Sequence, residues 1–166
     1  MRRCPSVPEA RRRQAGPHVR RRRLPCSLVP PALPSVAVLS IEVENRSGVE
    51  VDRDAAVALA RRVLGAEGVD DGELGLAFVG ADEMRALKRV HLGIDEATDV
   101  LSFPIDGRDE LPEGVPRALG DVVLCPQVVG EEWRGPLVHG LLHLLGYDHG
   151  DEMETREAVY SEHAGA

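Results

Sequence analysis

Three histidines near the carboxyl end constrain this chain more than any other feature. In residues 138–149, His139 and His143 are four positions apart, and His149 follows six positions later. On a helix, side chains four residues apart project from the same face, one turn apart. Leucines surround the first two histidines, and Gly146 predicts a left-handed cap that ends the helix. A turn after Gly146 can therefore bring His149 to the other two imidazoles.

This spacing predicts a zinc site. Three imidazole nitrogens that leave one coordination position open are typical of a catalytic zinc ion. Zinc proteases of the long-motif type share the spacing and read H-E-x-x-H-x-x-G-x-x-H, with the glutamate as general base. Gly140 stands at the position of that glutamate. We therefore expect one zinc per chain at His139, His143 and His149 on a zincin-like helix, with metal-assisted hydrolysis whose base lies elsewhere or is absent.

A second interpretation of the three histidines requires no metal. They could belong to a buried helix and form hydrogen bonds with the backbone. Three neutral imidazoles that converge without a metal would then need three separate partners, because buried polar groups are almost always hydrogen-bonded.

The rest of the sequence predicts an α+β fold with a single mixed β-sheet of about four strands, packed with helices. The predicted strands are 39–44, 73–79, 98–103 and 119–125. The predicted helices are one capped by Asp52, one at 82–90, the histidine helix opening at Pro136, and one at 151–163. Residues 105–118 are rich in glycine, proline and charge, which indicates a surface loop.

The charge distribution is uneven along the chain. Residues 1–40 hold nine arginines and one glutamate, whereas residues 41–166 hold 11 basic and 27 acidic side chains. An acidic domain repels RNA phosphates, since non-specific affinity for nucleic acid comes from basic contacts. The three cysteines form no metal or disulfide pattern, and no apolar run reaches membrane-span length. We expect a cytoplasmic protein that makes no membrane contact.

Three blocks of sequence carry a family resemblance. They are T-D-V-L-S-F-P at 98–104, L-G-D-V-V-L at 119–124, and the histidine block at 139–149. With these blocks the chain, from about residue 39 to 163, resembles the YbeY family of bacterial metal-dependent endoribonucleases. The resemblance implies a single-strand-specific, zinc-dependent endoribonuclease in ribosomal RNA maturation, at the 3′ end of 16S rRNA, and in ribosome quality control. Its partners would be ribosomal RNA and the ribosome.

The resemblance also suggests a division of the chain and further site residues. We expect a disordered basic extension at 1–38 and the metal-dependent endoribonuclease domain at 39–166. Three interpretations of this extension are an RNA-binding tail, a transit-like sequence and, the one we favour, upstream sequence from a mis-assigned start. Thr98 and Ser102 would border the cleft and position a phosphate. Asp148 would orient a histidine, or satisfy backbone amides in its own turn.

Two departures from the family pattern leave other functions open. Relatives commonly carry an arginine where this chain has Leu92, and Arg89 is the nearby candidate to stabilise phosphoryl charge. The segment 126–136 is also shorter than in relatives. The alternatives are a zinc peptidase-like hydrolase, and a catalytically impaired, metal-stabilised module that binds the ribosome.

Overall fold

A computed structural model describes residues 38–162, and these form one four-stranded sheet with five α-helices. The fold class predicted from the sequence is confirmed. The predicted boundaries lie within about two residues of the observed ones. In chain order, the elements are β1 (Leu39–Asn45), α1 (Arg53–Ala66), β2 (Gly72–Phe78), α2 (Ala81–Leu92), β3 (Val100–Pro104), β4 (Ala118–Leu124), α3 (Pro126–Val129), a 3-10 turn (Gly130–Glu132), α4 (Arg134–Leu144) and α5 (Asp151–Glu162).

The extension predicted for residues 1–38 lies outside the described residues, apart from Val38. Among residues 38–162, no helix combines the length and the apolar character that a bilayer crossing requires.

The sheet brings two of the three family blocks side by side. Its strand order is β1-β2-β4-β3, with β1, β2 and β4 parallel and β3 antiparallel to β4. Leu101 of β3 pairs with Val123 of β4, and Ser102 pairs with Val122. Helix α4 packs on these two strands and against α1 and α5. The third block, with the histidines, therefore lies directly over the first two.

Helix α1 forms as its sequence pattern predicts. The Asp52 side chain accepts a hydrogen bond from the Ala55 amide at 2.9 Å, which satisfies a donor that the first turn leaves unpaired. Its apolar stripe is buried and packs against α4; the stripe consists of Ala56, Leu59, Ala60, Val63 and Leu64. Burial of this stripe joins the parallel β1–β2 pair to the histidine helix in one core.

Helix α4 begins at Arg134, so the prediction that it opens at Pro136 is wrong by two residues. A proline is tolerated there because the amides of the first helical turn have no intrahelical acceptor. The helix is largely apolar around its circumference, and five of its side chains are completely buried: Leu137, Val138, Leu141, Leu142 and Leu144. Burial of these side chains holds the helix against its neighbours. Only a narrow strip of its surface, which includes the histidines, is partly exposed to solvent.

Gly140 is the point of closest approach between α4 and the sheet. A Cβ atom at this position would lie 2.7 Å from Val122 Cγ1, 3.0 Å from Ser102 Oγ and 3.1 Å from Val100 Cγ2. The Ser102 hydroxyl also donates a hydrogen bond to the Gly140 carbonyl oxygen at 3.0 Å. The helix can pack this closely because residue 140 has no side chain. Position 140 therefore faces the sheet rather than the histidines.

We predict that Gly140→Ala destabilises the protein by about 1–3 kcal/mol, because the new methyl group overlaps the branched side chain of Val122 in a packed core. Alanine has the higher helix propensity, by about 1 kcal/mol, so propensity alone predicts the opposite sign. Gly135→Ala is the matched control, since a Cβ atom at 135 meets nothing within 4 Å. Urea unfolding of both variants measures the difference. Equal changes in stability would contradict the packing argument.

Candidate metal centre

The three predicted histidines converge at the carboxyl end of α4. His143 Nε2 lies 3.0 Å from His139 Nε2 and 3.3 Å from His149 Nε2. One ligand atom from each of the three residues lies within 4.8 Å of the others. Ligands bonded to a tetrahedral zinc at about 2.0–2.1 Å are separated by about 3.3 Å. The spacing of the three imidazoles therefore fits a single ion.

The end of α4 places the third histidine. Gly146 has φ +82°, its amide donates to the His143 carbonyl at 3.0 Å, and the Tyr147 amide donates to the Leu142 carbonyl at 3.1 Å. These two bonds define a Schellman motif, which confirms the predicted left-handed cap. The chain reverses at this point, and His149 returns to the exposed side of His143.

Hydrogen bonds on the far side of two imidazoles fix their tautomers. His139 Nδ1 donates to Glu157 Oε1 at 2.5 Å, and His143 Nδ1 donates to the Tyr147 carbonyl oxygen at 2.9 Å. Because each acceptor requires a proton on Nδ1, the Nε2 atoms of the neutral rings present lone pairs. Two lone pairs facing each other across 3.0 Å repel unless a cation lies between them. The arrangement therefore fits a metal ion or a shared proton.

The surroundings of His143 favour its neutral form. Its pKa lies below the ordinary value chiefly because burial penalises the charged ring. The hydrogen bond to the Tyr147 carbonyl opposes this shift, the neighbouring charges of His139 and His149 add to it, and the charge of Asp148 opposes it. At neutral pH, His143 therefore offers the uncharged imidazole that a metal requires.

The histidines line a cavity of about 840 Å³. Its wall is formed by β3 and the residues before it, the histidine face of α4, the turn after α4, and one side of α5. Among residues 38–162, three carboxylates contribute to the lining, from Asp99, Asp148 and Glu157, and no lysine or arginine does. The cavity thus combines a nitrogen ligand set with an acidic wall.

The other residues predicted for the site do not all line the cavity. Asp148, Thr98 and Ser102 line the cavity, and so does Leu92. Arg89 is absent from the cavity lining and is exposed near Asp95, with 3.7 Å between Arg89 Nη1 and Asp95 Oδ1.

Thr98 and Ser102 both donate their hydroxyl protons to protein atoms. Thr98 precedes β3 instead of lying on it, and its hydroxyl donates to Asp99 Oδ1 at 3.0 Å. Ser102 donates to the Gly140 carbonyl. A hydroxyl has one proton to donate, so in this arrangement neither side chain offers a donor to a phosphate.

Sequence reasoning missed Glu157, the carboxylate that contacts His139. Asp148, for which orienting a histidine was one of two predicted roles, is exposed at the cavity wall. Glu157 is 18 residues from His139 and lies among other acidic residues of α5. No local spacing distinguishes it from Glu152 or Glu154, since the docking of α5 decides which carboxylate faces the histidines.

A buried carboxylate lies behind the histidine turn. The side chain of Glu67, at the end of α1, is 1% exposed. It accepts hydrogen bonds from Tyr147 Oη at 2.8 Å, from Tyr160 Oη and Arg156 at 2.5 Å each, and from Arg108. Burial raises the pKa of Glu67, but the bonds from Tyr160, Tyr147 and Arg156 outweigh it, and the net shift is downward.

Comparison with known proteins identifies the family. The family model for Endoribonuclease YbeY matches residues 41–164. The chain belongs to the YbeY family. The Endoribonuclease YbeY of Beutenbergia cavernae is 43% identical over 72% of this chain and 89% of that protein, and the one from Salinispora tropica is 40% identical over 72% and 88%. The solution structure of TM1509 from Thermotoga maritima is 26% identical and covers 75% of this chain and 88% of that one, with a TM-score of 0.47.

Residues 126–136, which the family resemblance led us to expect to be short, form α3, the 3-10 turn and the first residues of α4. Trp133, just before α4, is partly buried and packs against the main core. Helix α4 packs against both α1 and α5. The histidine helix is therefore supported without a longer element in this segment.

We predict that Glu157→Gln weakens zinc binding by at least about tenfold, because loss of an orienting carboxylate typically reduces metal affinity by about 10–100-fold. Glu154→Gln, at an exposed position of the same helix, is the control and is expected to bind zinc as the unaltered protein does. Competition with a chromophoric chelator measures both. Equal affinities for the two variants would show that the contact between Glu157 and His139 has no role in metal binding.

The lowered pKa of Glu67 also predicts acid sensitivity. A carboxylate whose pKa is depressed in the folded state stabilises the protein fully above its ordinary value of 4.5. That contribution is lost as pH falls through the lower, folded pKa. Urea unfolding between pH 7 and pH 3 measures the free energy of unfolding. This free energy should fall more steeply with decreasing pH in the unaltered protein than in Glu67→Gln. An identical pH dependence of the free energy of unfolding in the two proteins would contradict this prediction.

Proposed function

We propose that this protein is an endoribonuclease that cleaves single-stranded RNA in ribosomal RNA maturation and uses one zinc ion held by His139, His143 and His149. Membership of the YbeY family supports ribonuclease activity. The observation that supports the zinc assignment is the convergence of three imidazoles, with His143 Nε2 at 3.0 Å from His139 Nε2 and at 3.3 Å from His149 Nε2. The proposal extends to a cytoplasmic protein whose partners are ribosomal RNA and the ribosome, with a role in ribosome quality control.

The residues present define what the protein contributes to the reaction. A bound zinc ion supplies Lewis acidity toward a phosphodiester and generates a nucleophile from water at neutral pH. His139 and His143 offer their Nε2 nitrogens, while Glu157 and the Tyr147 carbonyl hold their ring orientations. Asp148 is exposed at the cavity wall, and we propose it as a candidate catalytic residue. Arg89 is left out, because it is absent from the lining.

The acidic wall of the cavity supports a role for a metal ion in this function. RNA phosphates approaching the histidines would face Asp99, Asp148 and Glu157, and the described part of the chain contributes no lysine or arginine to the lining. A divalent ion is the charge that can reverse the local sign of the potential. We therefore propose that residues 39–166 form the catalytic domain and that metal removal abolishes cleavage.

One observation favours a second candidate, a ribosome-binding module in which catalysis is impaired. Leu92 lies in the cavity wall at the position where the family resemblance leads us to expect an arginine, and no lysine or arginine among residues 38–162 lines the cavity. A zinc peptidase of the long-motif type is disfavoured, because position 140 faces Val122 and Ser102. A glutamate general base placed there would point into the sheet.

We predict that the full-length protein cleaves a labelled single-stranded RNA and leaves the same sequence intact in a duplex. Chelation should stop the cleavage, and added zinc should restore it. His143→Ala should remove both zinc retention and cleavage. His91→Ala is the matched control, because His91 makes an edge contact with Phe103 and does not line the cavity.

Full activity in His143→Ala would refute the mechanism. A folded, zinc-loaded protein that binds ribosomes without cleaving RNA would favour the binding module. Turnover of casein without RNA cleavage would favour a peptidase-like hydrolase.

A further inference from the structure

We infer that Glu67 is a positioning residue for the histidine cluster, although it does not contact any of the three histidines. The inference rests on the metal site of the proposed function. Two groups orient the imidazoles, and they are the Tyr147 carbonyl and the Glu157 carboxylate. Both belong to segments that form hydrogen bonds with the buried side chain of Glu67.

The first route passes through Tyr147. Its hydroxyl donates to Glu67 Oε2 at 2.8 Å, while its carbonyl oxygen accepts the His143 Nδ1 proton at 2.9 Å. The ring is flanked by the guanidinium groups of Arg108 at 4.7 Å and Arg156 at 4.8 Å, and both arginines bind Glu67. The phenol is therefore fixed at its hydroxyl and near its ring. Because the carbonyl belongs to the same residue, displacement of the phenol moves the acceptor of His143.

The second route passes through α5. Arg156 and Tyr160 of this helix donate to Glu67 Oε1, each at 2.5 Å. Glu157 follows Arg156 directly in the helix and accepts the His139 Nδ1 proton. The hydrogen bonds from Arg156 and Tyr160 to Glu67 therefore fix the position of α5. In that position Glu157 contacts His139.

The chemistry of the cluster requires a carboxylate. Two phenols and two guanidinium groups all act as donors here, and a carboxylate can accept several such bonds through its two oxygens. A glutamine amide keeps the size of the side chain but has one acceptor oxygen, and its NH₂ group would face donors. Glu67→Gln should therefore loosen both routes with little change in packing volume.

Zinc affinity, measured on the full-length protein by competition with a chromophoric chelator, tests the inference. Glu67→Gln should bind Zn²⁺ about tenfold more weakly, at the lower end of the effect of losing an orienting group. Tyr147→Phe removes only the hydroxyl of the first route and should weaken binding by a smaller factor. Co²⁺-loaded protein supplies a second readout, because its visible absorption bands report ligand geometry and should shift in both variants.

Met84→Ala is the control for stability alone. Met84 is fully buried in a separate core cluster with Val79, Val123 and Cys125. Its truncation should lower the free energy of unfolding while leaving zinc affinity and the Co²⁺ spectrum of the folded protein unchanged. A residue with a merely structural role at position 67 would behave in the same way.

The outcomes separate this inference from the proposed function. Weaker zinc binding and altered Co²⁺ spectra in Glu67→Gln and Tyr147→Phe, with Met84→Ala unchanged, support it. Unchanged zinc affinity and spectrum in a folded Glu67→Gln overturn it. If Glu67→Gln does not fold, unchanged binding in Tyr147→Phe overturns it instead. An unaltered protein that binds no zinc would remove the metal site itself and the inference with it.

Discussion

The close packing of α4 against the sheet at Gly140 determines where the histidines point. The helix lies near enough to β3 and β4 that residue 140 has no room for a side chain, and Ser102 ties its carbonyl to β3. This contact fixes the rotation of α4 about its own axis. The preceding helical position, His139, and the position one turn after it, His143, then face the cavity. The same contact explains why a general base at position 140 is incompatible with this fold.

The second constraint is the pair of hydrogen-bond acceptors that contact Nδ1 of His139 and His143. An imidazole with a protonated Nδ1 presents its lone pair through Nε2, and a carbonyl or carboxylate at Nδ1 selects that tautomer. The carbonyl for His143 follows from the Schellman turn, so local backbone geometry supplies it. The carboxylate for His139 comes from a distant helix. Glu67 lies between the two segments and joins α1, the loop before β4 and α5 behind the histidine turn.

Local patterns in the sequence predicted much of this arrangement, and tertiary contacts supplied the rest. The i, i+4 histidines, the Gly146 cap, the Asp52 cap and the stripe of α1 are all encoded within a few turns of chain, and each was predictable. Glu157 and Glu67 were not predicted. Their partners lie between 18 and 93 residues away, and their roles depend on how α5 docks. The start of α4 was misplaced because a proline is tolerated throughout a first helical turn, so its presence does not fix the first residue.

The central claim is that His139, His143 and His149 bind one metal ion through Nε2. The most direct test is a crystal structure of the zinc-loaded protein with anomalous diffraction at the zinc edge. We predict one zinc with three Nε2 atoms at about 2.0–2.1 Å and with the Glu157 and Tyr147 contacts intact. A zinc ion held by other side chains, or three histidines that stay together with no metal between them after zinc loading, would contradict it.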